Sequence, residues 1–271
     1  MSAEQQIAFI GGGNMASAII GGLLRAGRRA EQILVVEPHA PQRDKLARDF
    51  GLQALAAGDA SLAHAATVVW AVKPQLFGEA AAPLKAWLAG ALQLSVMAGI
   101  RTDSLVAATG SERVVRSMPN TPALIGQGIA GLYARPAVSA QERATVEQLL
   151  APTGQTLWVE REDDLDAVTA LSGSGPAYFF FVVEAMIAAA VDMGLTAEQG
   201  RRLALATCGG AAALGLASDE SPTTLRERVT SKGGTTYAAI TSLQGDGVDA
   251  AVRRAVLAAQ RRAAELGKEF G

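Results

Sequence analysis

The first half of the chain alternates short apolar runs with segments of helical periodicity. Five runs rich in β-branched residues are predicted strands: 7–10, 33–36, 67–71, 92–96 and 113–116. Three intervening segments are predicted helices: 14–26, 41–50 and approximately 77–88. Apolar strands that alternate with helices are typical of a parallel sheet with helices on both faces.

The second half changes character, because no run of strand pattern follows residue 160. Five helical segments are predicted there: 177–193, 197–216, 223–228, 235–243 and 248–266. We therefore predict a sheet domain over residues 1–160 and an all-α domain over residues 161–271.

The predicted helices of the second domain are rich in alanine and apolar on more than one face. A domain of this size can bury only part of that surface within one chain, so we expect a second copy to cover the rest in a homodimer. A plain alanine-rich helical bundle is the alternative.

Composition excludes several classes of function. Hydrophobic residues make up 49% of the chain and the net charge is −2, which gives no general attraction to nucleic acid. Cys208, His39 and His64 are the only Cys and His residues, so no metal site is expected. The N-terminus lacks a signal-peptide pattern, and the apolar stretch 177–191 is interrupted by Glu184 and too short to span a bilayer. We expect a cytoplasmic protein with no membrane partner.

A glycine-rich motif lies between the first predicted strand and the first predicted helix. It reads Gly11-x-Gly13-x-x-Ala16, in which Gly11 permits a tight turn, Gly13 admits a pyrophosphate and Ala16 allows close packing of helix on strand. The helix N-terminus adds free N–H groups and a partial positive charge. The motif predicts an α/β fold with a Rossmann-type doubly wound sheet that binds NAD or NADP.

Glu37 ends the second predicted strand. An acidic residue there accepts hydrogen bonds from the ribose hydroxyls of NAD and repels the additional phosphate of NADP. His39 and Arg43 are close enough in sequence to meet a phosphate, so the sequence leaves the choice between NADPH and NADH open.

The second domain contains one polar, glycine-containing segment, residues 229–236. Its N–H groups form either a nest for a carboxylate or an ordinary capping loop for the next helix, and the residues alone favour neither. The preceding helical region, 176–199, has no lysine, and no histidine lies in the second half. The absence of these proton donors argues against a hydroxy-acid substrate and favours one that arrives protonated, such as an iminium.

Several motifs occur in an order that resembles the pyrroline-5-carboxylate reductase family. They are IGGGNMA at 10–16, AVKP at 71–74, SVMAG at 95–99, RSMPNTP at 116–122, SGSGPAY at 172–178 and TSKGGTT at 230–236. The resemblance covers essentially the whole chain. It implies NADH- or NADPH-dependent reduction of L-1-pyrroline-5-carboxylate to L-proline, the last step of proline biosynthesis, by a Rossmann-type domain followed by an all-α helical dimerisation domain.

The resemblance also implies roles for individual positions. Pyrophosphate would be held by Gly11, Gly13, Asn14, Met15 and Ala16. Ribose and nicotinamide would be lined by Ala71, Val72, Lys73, Pro74, Met97 and Ala98. Substrate carboxylate would be held by Ser231, Gly233, Gly234 and Thr235. The hydroxyl of Thr236 would meet the ring nitrogen and act in catalysis. Family members pair through the helical domain, the partner contributes to the substrate site, and many form decamers of five dimers.

The chain departs from the family pattern at four positions. Lys232 stands where the family often has proline, Arg228 and Gly58 stand where some members have asparagine, and Glu37-Pro38 replaces a small polar residue and arginine that favour NADPH. Two other functions remain as alternatives: a reductase for another cyclic imine, and a dinucleotide sensor without turnover.

Overall fold

The computed structural model describes residues 5–270, which divide into two units by their internal contacts. The first unit contains the described residues up to 174 and those from 259 onward, and the second contains residues 175–258. The domain boundary between residues 160 and 161 was predicted from the change from strand pattern to helix pattern, and it stays a prediction.

The first unit is built on a seven-stranded sheet. Its strands are β1 (Gln6–Ile10), β2 (Ile33–Val36), β3 (Ala65–Trp70), β4 (Leu92–Ser95), β5 (Val114–Met118), β6 (Gly128–Ala134) and β7 (Gly154–Trp158). Their order is β2-β1-β3-β4-β5-β6-β7. The first five strands run parallel, β6 runs antiparallel to β5, and β7 runs parallel to β6.

The predicted parallel sheet is therefore correct for β1–β5 and incomplete beyond them, because β6 and β7 were not predicted. Both strands contain glycine, which weakens the strand pattern in a sequence. The glycines are required by close approach. A Cβ at Gly131 would lie 2.6 Å from a methyl of Val168, and one at Gly154 would lie 2.0 Å from the carbonyl oxygen of Gly128.

Seven complete α-helices lie in the described part of the first unit: α1 (Asn14–Arg25), α2 (Ala40–Phe50), α3 (Phe77–Ala81), α4 (Lys85–Leu88), α5 (Thr102–Thr109), α6 (Ala140–Leu150) and α7 (Asp164–Val168). The single helix predicted over 77–88 is broken by a 3-10 turn over Ala82–Leu84. The break contains Pro83, which has no N–H to donate to the preceding turn.

Two apolar cores lie on the two faces of the sheet. Phe9 of β1 belongs to the core that contains α1, α2 and α6, whereas the adjacent Ile10 belongs to the core that contains α3, α4 and α5. Successive strand residues point to opposite faces, so β1 is covered on both sides. This arrangement confirms the doubly wound sheet.

The second unit is helical throughout. It contains α8 (Gly175–Asp192), α9 (Ala197–Leu216), α10 (Pro222–Arg228), α11 (Thr235–Gly245) and the first part of α12 (Val248–Phe270). Helix α8 packs closely on α9, since a Cβ at Gly200 would lie 2.8 Å from the Cβ of Ala190. No other pair of helices within residues 175–258 makes comparably extensive contact. The helices predicted from the sequence are confirmed.

Large apolar side chains of this unit are exposed, among them Phe179, Phe181 and Leu216 at 66%, 72% and 78%. The helical run Asp164–Asp192, which joins α7 to α8, is long and apolar enough to cross a membrane, and only 17% of its most apolar window is buried. The helical run is longer than the apolar stretch 177–191, so length alone does not exclude a span, and the absence of a membrane partner stays a prediction. Exposed apolar surface of this extent marks an interaction face.

Candidate functional site

The glycine loop after β1 lies where the strand order reverses, between the carboxyl ends of β2 and β3. The N–H of Gly11 donates to the carbonyl of Val36, 2.8 Å away, and the N–H of Ala71 donates to the carbonyl of Ile10 at the same distance. Gly11 has φ 95°, and a Cβ there would lie 2.7 Å from the carbonyl oxygen of Ala71. Only glycine fits this turn, and its place is the point at which open α/β sheets bind ligands.

Gly12 is fixed by hydrogen bonds on both sides of its backbone. Its N–H donates to Oε2 of Glu37 (2.8 Å), and its carbonyl accepts from the hydroxyl of Ser17 (3.3 Å) and the amide of Gln42. Sequence reasoning missed Ser17 and Gln42, since neither stands in a recognisable motif. Their hydrogen bonds to the Gly12 carbonyl hold the loop in shape.

The N-terminus of α1 is open towards a ligand. Gly13 occupies the cap position with no side-chain cap, and the first turn carries no acidic residue. A Cβ at Gly13 would meet nothing within 4 Å, whereas Ala16 is fully buried in the core. By contrast, Ser139, Thr196 and Ser221 provide side-chain caps for α6, α9 and α10. The free N–H groups, the partial positive charge and the open space of α1 fit a phosphate.

A cavity of about 480 Å³ adjoins this loop. Its lining is almost entirely apolar: Ile10, Gly11, Val36, Pro38, Ala56, Ala57, Gly58, Val72, Leu76, Glu79, Ala80, Pro83 and Leu84. A flat apolar base such as adenine fits a lining of this chemistry. Asparagine at Gly58 would require Leu84 to move, because a Cβ there would lie 2.4 Å from its Cδ2.

The ends of β3 and β4 place the other predicted cofactor residues at the same edge of the sheet. Val72 lines the cavity, Lys73 is exposed, and Pro74 begins a 3-10 turn over Pro74–Leu76. The side chain of Met97 is buried in the core, while Ala98 is half-buried. At Met97 only the main chain can therefore face a cofactor.

Glu37 is held by two main-chain N–H groups. Its Oε2 accepts from Gly12 (2.8 Å) and its Oε1 accepts from His39 (2.9 Å). Nη1 of Arg43 donates to the carbonyl oxygens of Glu37 (3.0 Å) and Pro38 (2.6 Å). Of the two basic residues that the sequence placed near this point, Arg43 is thus directed at the backbone of the turn.

The polar segment before α11 forms a compact turn. Gly233 has φ 77°, and the N–H of Gly234 donates to the carbonyl of Ser231 (3.0 Å). Gly234 is the cap residue of α11 and provides no side-chain cap. Within residues 5–270 the hydroxyls of Ser231, Thr235 and Thr236 have no hydrogen-bond partner.

The capping alternative for this segment is therefore wrong, because no hydroxyl in it caps α11. The N–H groups of the first turn of α11 and the neighbouring hydroxyls are available together. Such a set is suited to a carboxylate, which accepts several hydrogen bonds at once. Lys232 is exposed beside the turn.

The segment that contains the motif SGSGPAY continues a helix. A π-helical turn over Thr169–Gly173 connects α7 to α8. The amide of Asn120 donates to the carbonyl of Ser172 (3.2 Å), and its Oδ1 accepts from the N–H of Ile129 (3.0 Å). Asn120 thereby ties the π turn to β6. Single π turns are frequent at functional sites.

Beneath this region lies a buried charge network that the sequence did not reveal. Arg116 is 2% exposed, and its Nη1 lies 3.1 Å from Oε1 of Glu162. Glu162 also accepts from the N–H and hydroxyl of Thr102, at 2.8 and 2.7 Å. Nearby, burial raises the pKa of Asp166, and the Coulombic attraction of Arg116 and Arg101 opposes that rise only in part.

In comparison with known proteins, two family models match this chain. Residues 162–266 match the model described as pyrroline-5-carboxylate reductase dimerisation. Residues 6–99 match the model described as NADP oxidoreductase, coenzyme F420-dependent.

Individual relatives match over nearly the whole chain. A pyrroline-5-carboxylate reductase from Pseudomonas aeruginosa is 47% identical over 270 residues, which cover 98% of each chain. The structure of a pyrroline-5-carboxylate reductase from Coxiella burnetii superposes with a TM-score of 0.90 at 36% identity, covering 97% of this chain and 98% of that one. The crystal structure of Plasmodium falciparum pyrroline carboxylate reductase with NADP bound has a TM-score of 0.86 at 28% identity, covering 98% and 99%.

Proposed function

The chain belongs to the pyrroline-5-carboxylate reductase family, and from that premise we propose that it reduces L-1-pyrroline-5-carboxylate to L-proline with NADH or NADPH. The observation that carries the proposal is the pair of uncapped, glycine-led helix N-termini, one at α1 and one at α11. One suits the pyrophosphate of a dinucleotide, and the other suits a substrate carboxylate.

We assign the cofactor to the carboxyl edge of the sheet. The pyrophosphate is held by the glycine loop: Gly11, Gly13, Asn14, Met15 and Ala16. The adenosine is received by the apolar cavity and Glu37, and the ribose and nicotinamide are held by Ala71, Val72, Lys73, Pro74, Met97 and Ala98. When bound, the reduced nicotinamide supplies a hydride to the carbon of the C=N bond.

The substrate is held by the segment before α11. Ser231, Gly233, Gly234 and Thr235 present N–H and hydroxyl donors to the carboxylate, which fixes the ring. The ring nitrogen arrives protonated and donates its N–H to the hydroxyl oxygen of Thr236. It keeps that proton as the C=N bond is reduced, so no side chain has to deliver one, consistent with the absence of His and Lys from α8. Catalysis is mainly a matter of positioning.

The helical unit supports a homo-oligomer, and we propose a dimer in which the partner subunit covers the exposed apolar helices. If this protein assembles beyond the dimer, we propose that it forms a decamer of five dimers. We place the protein in the cytoplasm, with protein rather than lipid on the apolar face. Light scattering of the detergent-free protein tests this: an even-numbered oligomer supports it, whereas recovery only from membranes with detergent contradicts it.

The role of Thr236 is tested by Thr236→Val, which keeps the shape of the side chain and removes its hydroxyl. We expect kcat/KM for pyrroline-5-carboxylate to fall about 10- to 100-fold, the cost of one polar contact made in the transition state. Thr241→Val on the same helix is the matched control, since its hydroxyl only bonds the carbonyl of Tyr237. Unchanged kinetics in folded Thr236→Val would remove Thr236 from the mechanism.

The remaining alternatives are separated by substrate. A six-membered cyclic imine carboxylate turned over much faster than the five-membered one would assign the protein to that imine instead. Dinucleotide binding without turnover of either imine would assign it to sensing.

A further inference from the structure

We propose that the Glu37 carboxylate makes this enzyme select NADH over NADPH. The inference rests on the proposed function and adds to it the choice between two cofactors that differ only in the phosphate on the 2′ position of the adenosine ribose. Three features of the described residues carry it: the hydrogen bonds that hold the Glu37 carboxylate, its place beside the apolar cavity, and the lack of a basic side chain among the residues that line that cavity.

The Glu37 carboxylate is fixed in place. Each of its oxygens accepts a main-chain N–H, from Gly12 at 2.8 Å and from His39 at 2.9 Å, and the N–H of Glu37 itself donates to the carbonyl of Leu55 (2.8 Å). Moving the carboxylate aside for a phosphate would leave the part-buried N–H of Gly12 without its acceptor, which is costly, whereas the exposed N–H of His39 could bond water instead.

Glu37 also stands where the ribose of a dinucleotide belongs. It ends β2 between Val36 and Pro38, and both of these neighbours line the cavity that fits adenine. In doubly wound sheets an acidic residue at this place accepts hydrogen bonds from the ribose hydroxyls. The two hydroxyls of the adenosine ribose of NADH are donors that can satisfy free lone pairs of the carboxylate. The 2′-phosphate of NADPH is instead an anion placed next to an anion.

No side chain in the cavity wall compensates for this repulsion. The residues that line the cavity include Glu79 and no lysine, arginine or histidine. Arg43 is the only lysine or arginine between residues 33 and 44, and its Nη1 donates to the carbonyls of Glu37 and Pro38. Its guanidinium therefore stabilises the turn that presents Glu37. The same turn is thus favourable to the ribose hydroxyls and unfavourable to a phosphate.

The test compares equilibrium binding of NADH and NADPH, measured by the fluorescence of the bound reduced nicotinamide. We expect the wild-type protein to bind NADH at least tenfold more tightly than NADPH. Glu37→Gln, which keeps the size of the side chain and removes its charge, should narrow that ratio at least tenfold, mainly by tightening NADPH. Glu31→Gln removes the same charge from an exposed position before β2 and should leave both dissociation constants unchanged.

Steady-state kinetics provide a second readout. The ratio of kcat/KM for the two cofactors should follow the ratio of their dissociation constants. In Glu37→Gln the change should fall on the KM for each cofactor, while kcat stays as in the wild-type protein. Equal or tighter binding of NADPH by the wild-type protein would overturn the inference, as would an unchanged ratio in folded Glu37→Gln or Glu37→Ser. Selective binding without turnover would instead contradict the proposed function, so the two failures are distinguishable.

Discussion

Replacing Glu162 with glutamine removes the only anionic hydrogen-bond partner of the Arg116 guanidinium within residues 5–270. Arg116 is 2% exposed and Glu162 side-chain exposure is 12%, so the pair is shielded from water. The Nε of Arg116 already lacks a hydrogen-bond partner, which makes the guanidinium dependent on the contact at Nη1. Glutamine keeps the shape of the side chain but leaves the buried guanidinium without a charged hydrogen-bond partner, so that only the Coulombic attraction of Asp166 offsets its charge.

The expected decrease in the free energy of unfolding of Glu162→Gln is a large part of the total stability of a folded protein. Removing one partner of a buried ion pair costs ~3–5 kcal/mol, because the remaining charge stays desolvated. Folded proteins are stable by ~5–15 kcal/mol in total. With a shift of ~2–4 °C for each kcal/mol in a chain of this size, Tm should fall by ~6–20 °C.

The assay is thermal unfolding followed by circular dichroism at one fixed protein concentration. Glu160→Gln is the matched control, because Glu160 is exposed and lies two residues away, and its Tm should stay within ~1 °C of wild type on the scale of an ordinary surface substitution. Arg116→Met combined with Glu162→Gln should recover part of the loss, since the buried guanidinium is then removed together with its partner. A Tm for Glu162→Gln close to that of Glu160→Gln would refute the reasoning.

Two further predictions concern the glycine loop and a buried carboxyl. Gly11→Ala places a Cβ 2.7 Å from the carbonyl oxygen of Ala71 at φ 95°, so binding of the reduced cofactor should weaken at least tenfold in a fluorescence titration, and unchanged affinity would contradict the role of this turn. Burial raises the pKa of Asp166 in the folded protein above its value of about 4 in the unfolded chain. At a pH above the folded pKa, the ionised carboxylate therefore lowers the free energy of unfolding. This loss of stability decreases as the pH falls from the folded pKa towards the unfolded pKa. Asp166→Asn should therefore raise Tm at pH 7 and lose that advantage on acidification, whereas an advantage that grows in acid would contradict the assignment.

Much of the fold follows from local pattern. The first three strands and the glycine loop combine an apolar period with a turn that only glycine permits, so neighbouring residues determine them. By contrast, β6 and β7 were missed because Gly128, Gly131 and Gly154 weaken their pattern, and the need for those glycines lies in atoms distant in sequence. Pro83 breaks the predicted helix 77–88 at a point that sequence reasoning passed over.

The candidate site divides in the same way. The motif around Gly11 could be identified from neighbouring residues. By contrast, the position of the Glu37 carboxylate depends on a hydrogen bond from the N–H of Gly12, which is 25 residues away in sequence. The segment containing Thr236 could not be interpreted from composition, because serine and threonine next to a helix serve equally as caps and as ligand donors. The geometry of α11, with Gly234 at the cap position, removes the capping role, and the ligand-binding role stays a proposal.

The central claim is the reduction of a cyclic imine carboxylate by a nicotinamide cofactor. The most direct measurement supplies the purified protein with L-1-pyrroline-5-carboxylate and NADH, and follows both the absorbance of the reduced nicotinamide and the amount of L-proline formed. The account predicts one L-proline for each NADH oxidised. Absence of L-proline with both NADH and NADPH, from folded protein that binds the cofactor, would contradict it.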